Sequence, residues 1–250
     1  EELERLLDDR GFSRFHTYHE FSLPRKFGHF NVTPRFGAGH TNYWAVQEPN
    51  DSTSRTHLTA AVDVSTKLTK YYPKLVSEKW GLEAARHVIE PYASLSWLST
   101  NELDNSFGRV ERLTPTSRPR PRHVGRFIAN DDLADWSILR LGMRNRLVTR
   151  RDGSTHDWLT LDTYIDAFFE DPELDRDFSN LYNDLRWSPL PWLELNLETQ
   201  FPISPTDNFT EVASSIRFMP LDKIEFTLDY RHLNNHPILR DSDRIVFESF

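Results

Sequence analysis

Apolar residues recur at every second position along much of this chain. The clearest stretch runs from Leu58 to Leu68, where even positions are mainly apolar and odd positions mainly polar. The stretches Leu193 to Glu198 and Ile224 to Asp229 show the same alternation. Because successive side chains of a β-strand point to opposite faces of the sheet, these stretches are predicted to be strands with one apolar and one polar face.

Weaker alternation raises the predicted number of strands to about eleven. The further segments are Arg14 to Leu23, Phe30 to Val46, His87 to Leu98, Trp136 to Arg150, Trp158 to Phe169, Phe178 to Trp187, Phe209 to Phe218 and Arg244 to Phe250. A short helix is predicted only at Glu1 to Arg10. The sequence therefore predicts an all-β chain.

The links between these strands alternate between short and long. Tight turns are predicted at Arg25 to Gly28, Arg151 to Ser154, Ser188 to Pro191 and Pro220 to Asp222. The longest link, Ser99 to Asp135, contains three prolines among several arginines and is predicted to be an extracellular loop, although a disordered linker between two domains fits the same composition. Short turns at one end and long loops at the other are typical of outer-membrane barrels. The link from Tyr71 to Ala85 is longer than this rule predicts.

Composition agrees with strands that cross a membrane. The 250 residues are 38% hydrophobic and carry a formal net charge of -8, which argues against a nucleic-acid partner. No apolar run approaches the roughly 18 residues of a membrane helix, whereas a membrane strand needs only about 9–11 alternating residues. Tyr and Trp near many predicted strand ends are expected to form aromatic girdles, and Tyr43, Trp136, Trp158 and Trp187 are among them.

Two further features concern the compartment and the extent of the chain. There is no cysteine, which excludes disulfides and thiolate chemistry within these residues. The first residues lack the basic and apolar regions of a signal peptide, so we expect an excerpt of a longer chain.

Several short motifs resemble the strands of the LptD family of LPS-assembly proteins. The segment Arg86-His87-Val88-Ile89-Glu90-Pro91 resembles the family's R-H-x-I-E-P strand, and Leu141 to Leu147 resembles its G-x-x-N-R-L strand. Glu20 to Pro24 with Phe30 to Arg35, and Asp184 to Leu195, are similar to two further family segments, in the same order along the chain. Arg86, His87, Glu90 and Pro91 carry the most specific of these motifs.

This resemblance implies a partial antiparallel transmembrane β-barrel, with residues 1–250 forming a single segment of it. The family's barrel has twenty-six strands and follows a periplasmic jellyroll, so this chain would supply about half of the barrel. The implied function is insertion of lipopolysaccharide into the outer leaflet of a Gram-negative outer membrane. The implied partners are lipopolysaccharide, a plug-like outer-membrane lipoprotein and periplasmic bridge proteins. Disulfide-controlled maturation, known in the family, has no cysteine here to act on.

Charged side chains are predicted to face the interior of the barrel, because Arg or Lys near the bilayer midplane costs about 2–4 kcal/mol on the lipid side. The candidates are Arg140, Arg144, Arg146, Asp162, Asp166, Asp184, Glu194, Glu198, Glu225 and Asp229. They would form either a hydrophilic passage for a sugar headgroup or cross-strand ion pairs that set the register.

Neither catalysis nor a cofactor is expected. His232 and His236 are four residues apart, but the segment between them lacks the Glu of a zinc-protease helix. No serine-protease arrangement, phosphate-binding loop or dinucleotide fingerprint is visible. Two alternatives to a lipopolysaccharide translocon stay open: a porin-like solute channel and a soluble β-rich module that binds or hydrolyses carbohydrate.

Overall fold

The computed structural model describes residues 12–45, 52–101, 111, 116–120, 122–126, 130–151, 153–172, 175–203, 209–221, 223–236 and 238–250. Within them the regular elements are thirteen β-strands and three one-turn 3₁₀ helices. The helix predicted at Glu1 to Arg10 lies outside these ranges. No helix among the described residues is long and apolar enough to cross a membrane.

The strands vary in length from three to nineteen residues. They are β1 (Phe12–Ser22), β2 (Arg25–Phe27), β3 (Phe30–Ala45), β4 (Ser52–Thr66), β5 (Leu68–Ser77), β6 (Leu82–Thr100), β7 (Trp136–Arg151), β8 (Ser154–Glu170), β9 (Leu181–Leu190), β10 (Leu193–Phe201), β11 (Thr210–Leu221), β12 (Ile224–Asn234) and β13 (Ser242–Ser249).

All thirteen strands belong to one antiparallel sheet. Eleven follow one another in the order β1-β3-β4-β6-β7-β8-β9-β10-β11-β12-β13, while β2 pairs with β3 and β5 pairs with β6. No pairing joins β1 to β13 within the described ranges, so the sheet is open. The predicted all-β, partial-barrel architecture is confirmed.

The eleven predicted strands correspond to the eleven strands of this main order, and the two that prediction missed are β2 and β5. The predicted tight turn at Arg25 to Gly28 was wrong, because Arg25–Phe27 pairs with Phe30 to Val32 and the chain turns at residues 28–29. The predicted link from Tyr71 to Ala85 was also wrong, because it consists mainly of β5 and the start of β6.

Each missed strand continues the strand before it. β1 and β2 lie end to end along β3, and β4 and β5 lie end to end along β6. The first gap, at Leu23 and Pro24, faces Pro34, since Ser22 pairs with Arg35 and Arg25 with Val32. The second gap, at Lys67, faces Glu90 and Pro91.

Proline chemistry accounts for both gaps. The N–H and C=O of one residue in an antiparallel ladder point to the same neighbouring strand, and proline has no N–H to donate. The Pro34 carbonyl accepts a hydrogen bond of 3.0 Å from the Leu23 backbone N–H, so the missing donor of Pro34 also faces the β1–β2 side. Pro24 lies between two strands, as proline commonly does. Pro34 and Pro91 instead lie inside their strands, and the interruption falls in the neighbouring strand.

The two faces of the sheet differ in polarity, as the alternation predicts. Large apolar side chains stand exposed on one face along the whole strand order, from Phe21 and Phe36 through Leu95 and Leu141 to Ile245. At its short-turn end, Trp187 packs against both Trp80 and Trp158, with ring centroids 5.5 Å apart in each pair. This cluster has the position of a girdle.

The predicted girdle positions of Tyr43 and Trp136 were wrong. Both side chains are buried on the polar face, at 1% and 3% exposure. The Tyr43 hydroxyl donates to Asp131 Oδ1 at 2.6 Å, and the Trp136 indole donates to Ser96 Oγ at 2.9 Å. A buried Tyr or Trp needs a partner for its polar atom, and here the partners lie on that face or in the loop that covers it.

Candidate functional site: the polar face and its covering loop

The ten charged residues predicted to line the interior lie on one face of the sheet. The pairing register places Arg140 opposite Asp166, Arg144 opposite Asp162, and Asp162 opposite Asp184. It continues through Glu198 and Glu194 on β10 to Asp229 and Glu225 on β12. Since directly paired residues share a face, the structure brings the whole set together on the polar face.

Two arginines of β7 form ion pairs with aspartates of β8 on this face. Arg140 donates from Nε to Asp166 Oδ1 at 2.6 Å and from Nη2 to Oδ2 at 2.7 Å, which is a bidentate pair. Arg144 donates to Asp162 at 2.9 Å. Arg146 lies farther from its carboxylate partner, at 3.9 Å from Asp157. Arg140 and Arg144 therefore form cross-strand ion pairs, which is the second of the two arrangements that the sequence left open.

A second group of charges lies on β9 to β12. Glu194 accepts a hydrogen bond of 2.7 Å from Arg186 and lies 3.8 Å from Arg217. Arg217 also pairs with Glu225, at 3.0 Å. Neither arginine was among the predicted residues, although both occupy the polar positions of their strands and the alternation alone would have identified them.

Three carboxylates stand side by side between these two groups. Asp162, Asp184 and Glu198 are directly opposite one another on β8, β9 and β10. Like charges opposite each other destabilise a sheet unless cations offset them. Arg144 binds the first carboxylate, and Arg118, from the long loop, binds the last.

The long loop between β6 and β7 lies across the polar face. Arg14 of β1 donates to both carboxylate oxygens of Glu111 at 2.7 Å and to Asp131 at 3.2 Å. His123 contacts Glu20 of β1 at 2.9 Å. The hydrogen bonds from Arg14 hold the pKa of the Glu111 carboxyl below its usual range, so this attachment persists into mildly acidic pH.

The same loop also reaches the far strands of the sheet. Arg118 pairs with Glu198 of β10, and the Ser117 carbonyl accepts from Gln200 of the same strand. The Ser117 hydroxyl accepts a hydrogen bond of 2.9 Å from Arg231 of β12. The loop therefore connects β1 with β12 over the polar face.

These contacts indicate that the sheet curves. Nine steps of about 4.8 Å separate β1 from β12, so a flat sheet would place them roughly 43 Å apart. The seven residues from Ser117 to His123 extend to at most about 22 Å. Bends at 117–118 and 122–123 shorten this reach, yet side chains of the segment contact both strands. The polar face is therefore the inner side of a trough, as a partial barrel requires.

A small apolar core fixes the loop to the trough. Val124 and Leu133 of the loop pack with Leu98, Trp136 and Ile138. Beside them, Arg122 donates to the Ser94 carbonyl at 3.1 Å, and its own carbonyl accepts from Ser96 Oγ at 2.9 Å. Burial lowers the pKa of the Arg122 guanidinium to about 10, which leaves it charged at neutral pH.

The R-H-x-I-E-P residues divide between the two faces. The alternation of β6 places Arg86 and Glu90 on the polar face and His87 and Pro91 on the apolar face. Glu90 lies 3.5 Å from Lys67, at the gap between β4 and β5. The motif therefore lies where β6 pairs with the continuous strand β7 on one side and faces the gap between β4 and β5 on the other.

Tyr92 and Gly142 form a pair that sequence reasoning missed. They are directly opposite on β6 and β7, and the Tyr92 ring crosses above Gly142 so that its hydroxyl donates to Asp162 at 3.0 Å. A Cβ at position 142 would lie 2.4 Å from the ring. The glycine of the G-x-x-N-R-L segment is thus needed for close approach.

Replacing Gly142 with alanine is expected to lower the free energy of unfolding by about 1–3 kcal/mol, because the ring must move and lose its bond to Asp162. Urea unfolding in detergent micelles, followed by tryptophan fluorescence, measures this change. In a Tyr92→Ala background the same substitution should cost much less. Equal costs in both backgrounds would show that the ring does not require the glycine.

The comparisons agree with the geometry of this two-faced sheet. A family model described as LptD, LPS transport system D, matches residues 5–246, which is nearly the whole chain. No curated protein matches the chain significantly.

Proposed function

From the premise that the chain belongs to the LptD family of LPS transport proteins, we propose that it forms part of an outer-membrane translocon that inserts lipopolysaccharide into the outer leaflet. The single observation that carries this proposal is the two-faced trough, with an apolar outer face and an inner face of charges and hydroxyls. An amphipathic glycolipid requires both environments at once. The mechanism proposed is transport without bond chemistry.

The inner face suits a saccharide chain that carries charge. Sugar hydroxyls can donate to carboxylates such as Asp184 and Glu198, and phosphate or sugar-acid groups can pair with guanidinium groups such as Arg144 and Arg186. Most of these charges already have a partner across the strands, so a passing headgroup would exchange one polar contact for another. We therefore propose that the ten candidate residues line the passage.

The outer face supports a location in the bilayer. Phe21, Phe36, Leu58, Leu141 and Ile245 are each between 48% and 72% exposed, and a contiguous apolar surface of this extent marks a membrane or partner interface. The family suggests the outer membrane of a Gram-negative bacterium. On that orientation the short turns face the periplasm, and the loop between β6 and β7 lies on the extracellular side.

The proposed partners follow from the family. A plug-like outer-membrane lipoprotein would occupy the interior of the complete barrel, and periplasmic bridge proteins would deliver lipopolysaccharide. The loop over the trough occupies the upper part of the inner face, so the space open to a plug is the part nearer the short turns.

The proposal is tested by depleting the chromosomal copy in the source bacterium and supplying the full-length protein from a plasmid. Newly made lipopolysaccharide reaching the cell surface is quantified by chemical labelling of intact cells. Complementation is expected to restore surface lipopolysaccharide, and unboiled protein from the outer-membrane fraction should migrate anomalously on a denaturing gel. Restored ion conductance with unchanged surface lipopolysaccharide would instead support the porin-like alternative, and a soluble protein would overturn the barrel.

A further inference from the structure

Strand β5, paired with β6, extends beyond β3 and β4 at the short-turn end of the sheet. The β3–β4 ladder ends where Phe30 pairs with Thr66, whereas β5 continues from Leu68 to Ser77 along β6. On its other edge β5 pairs with no strand in the described part of the chain.

A groove lies between this projecting strand and the apolar face of the sheet. Its volume is about 720 Å³, within the range of small-molecule sites. Tyr72 and Leu75 of β5 form one wall, and His87, Leu147 and Leu159 from β6, β7 and β8 form the floor. The ladder between β5 and β6 is irregular from Tyr72 to Val76, so this wall of the groove contains a β-bulge.

The position of the groove is interfacial. Leu159 pairs with Trp187, which belongs to the cluster with Trp80 and Trp158 at the short-turn end. The Trp158 indole donates to the Trp80 carbonyl at 2.7 Å, which ties the turn after β5 to β8. Tryptophan prefers the boundary between hydrocarbon and headgroups, so the groove opens at the depth where a lipid headgroup meets its acyl chains.

Positive charge lies beside this apolar groove. Lys74 lines it, and Lys70 pairs in register with His87 on its floor, with its ammonium 5.2 Å from the Tyr72 ring centroid. Neither lysine forms an ion pair with a carboxylate in the described ranges, in contrast to Lys67, which lies 3.5 Å from Glu90. An anionic group at the mouth of the groove would complement both ammonium groups.

We propose that this groove binds one glycerophospholipid with an anionic headgroup from the periplasmic leaflet. An acyl chain lies against Leu75, Leu147 and Leu159, and the headgroup phosphate lies between Lys70 and Lys74. The bound lipid would cover the apolar side of the hairpin that β5 and β6 form. This inference rests on the membrane orientation in the proposed function, but it does not require that the protein transport lipopolysaccharide.

The test uses the full-length protein, purified in detergent, incubated with equal amounts of phosphatidylglycerol and phosphatidylethanolamine, and analysed by native mass spectrometry. The wild type is expected to retain one phosphatidylglycerol. Retention should fall about ten-fold in a Lys70→Gln/Lys74→Gln variant, because each lysine attracts an anionic headgroup. It should also fall in Leu147→Trp, which fills the groove. Lys223→Gln, an exposed lysine in another turn at the same end, is the matched control and should bind as the wild type does.

Heat-modifiable mobility on a gel confirms that each variant is folded before it is compared. Equal retention by all variants, equal retention of both lipids, or preferential retention of lipopolysaccharide would overturn the proposal. Surface lipopolysaccharide, measured in cells carrying the same variants, separates phospholipid binding in the groove from the proposed transport of lipopolysaccharide. Variants that lose phosphatidylglycerol and still export lipopolysaccharide support both, whereas a wild type that retains phosphatidylglycerol without exporting lipopolysaccharide overturns only the transport function.

Discussion

Replacing Asp166 with asparagine is expected to lower the free energy of unfolding by about 3–5 kcal/mol. Asp166 is the bidentate acceptor of Arg140, and the two side chains are only 5% and 15% exposed. The substitution keeps the shape but leaves the guanidinium without a counter-charge, beside a second buried arginine, Arg122. Urea unfolding in micelles should show this loss as a lower midpoint with an unchanged slope.

The chain contains a matched control for this effect. Arg146 and Asp157 are 3.9 Å apart and are 34% and 51% exposed, so Asp157→Asn should cost no more than about 1 kcal/mol. Replacing Arg140 and Asp166 together with methionine and leucine should recover most of the stability, because no charge is then left unpaired. If Asp166→Asn and Asp157→Asn had equal costs, burial would not decide the strength of these pairs.

Arginine in place of Leu141 is expected to destabilise the folded barrel by about 2–4 kcal/mol and to reduce the folded fraction in the outer membrane. Leu141 is 48% exposed on the apolar face and lies between Ala93 and Ile165. In a bilayer its surroundings are hydrocarbon, which cannot solvate a guanidinium. The ratio of heat-modifiable to unfolded protein in membrane fractions measures the effect.

The variant Ser215→Arg tests whether the loss of stability in Leu141→Arg arises from the face of the sheet and not from arginine itself. Ser215 lies on the polar face opposite Asn196 and Asp229, where a new guanidinium can pair with a carboxylate. Ser215→Arg should therefore fold and assemble as the wild type does. A Leu141→Arg protein that assembles as well as Ser215→Arg would contradict the assignment of the apolar face to lipid.

The main strand order and the polarity of the two faces could be predicted from the sequence, because both depend on the period of two. The segment Leu58 to Leu68 shows this most simply, since its even residues share the apolar face through β4 and the start of β5. The ten candidate charges share the opposite face for the same reason. Any shift of register by one residue would reverse both assignments.

Pairing between distant segments could not be predicted in the same way. The interruptions at Pro24 and Lys67 follow from prolines on other strands, Pro34 and Pro91, and are visible only once the register is known. Tyr43 and Trp136 were assigned to the girdle because composition does not show that a loop covers one face. The loop's attachment depends on single side chains such as Arg14 and Arg118, which local patterns do not distinguish from other surface charges.

The loop across the trough constrains the order in which the protein assembles. Ser117 precedes its partners Gln200 of β10 and Arg231 of β12 by 83 and 114 residues. These contacts cannot form until the six strands from β7 to β12 have joined the sheet, whereas the contacts of the loop with β1 and β6 need only strands that precede it. Docking of this part of the loop is therefore a late event, and its protection from an added protease reports completion of this part of the barrel wall.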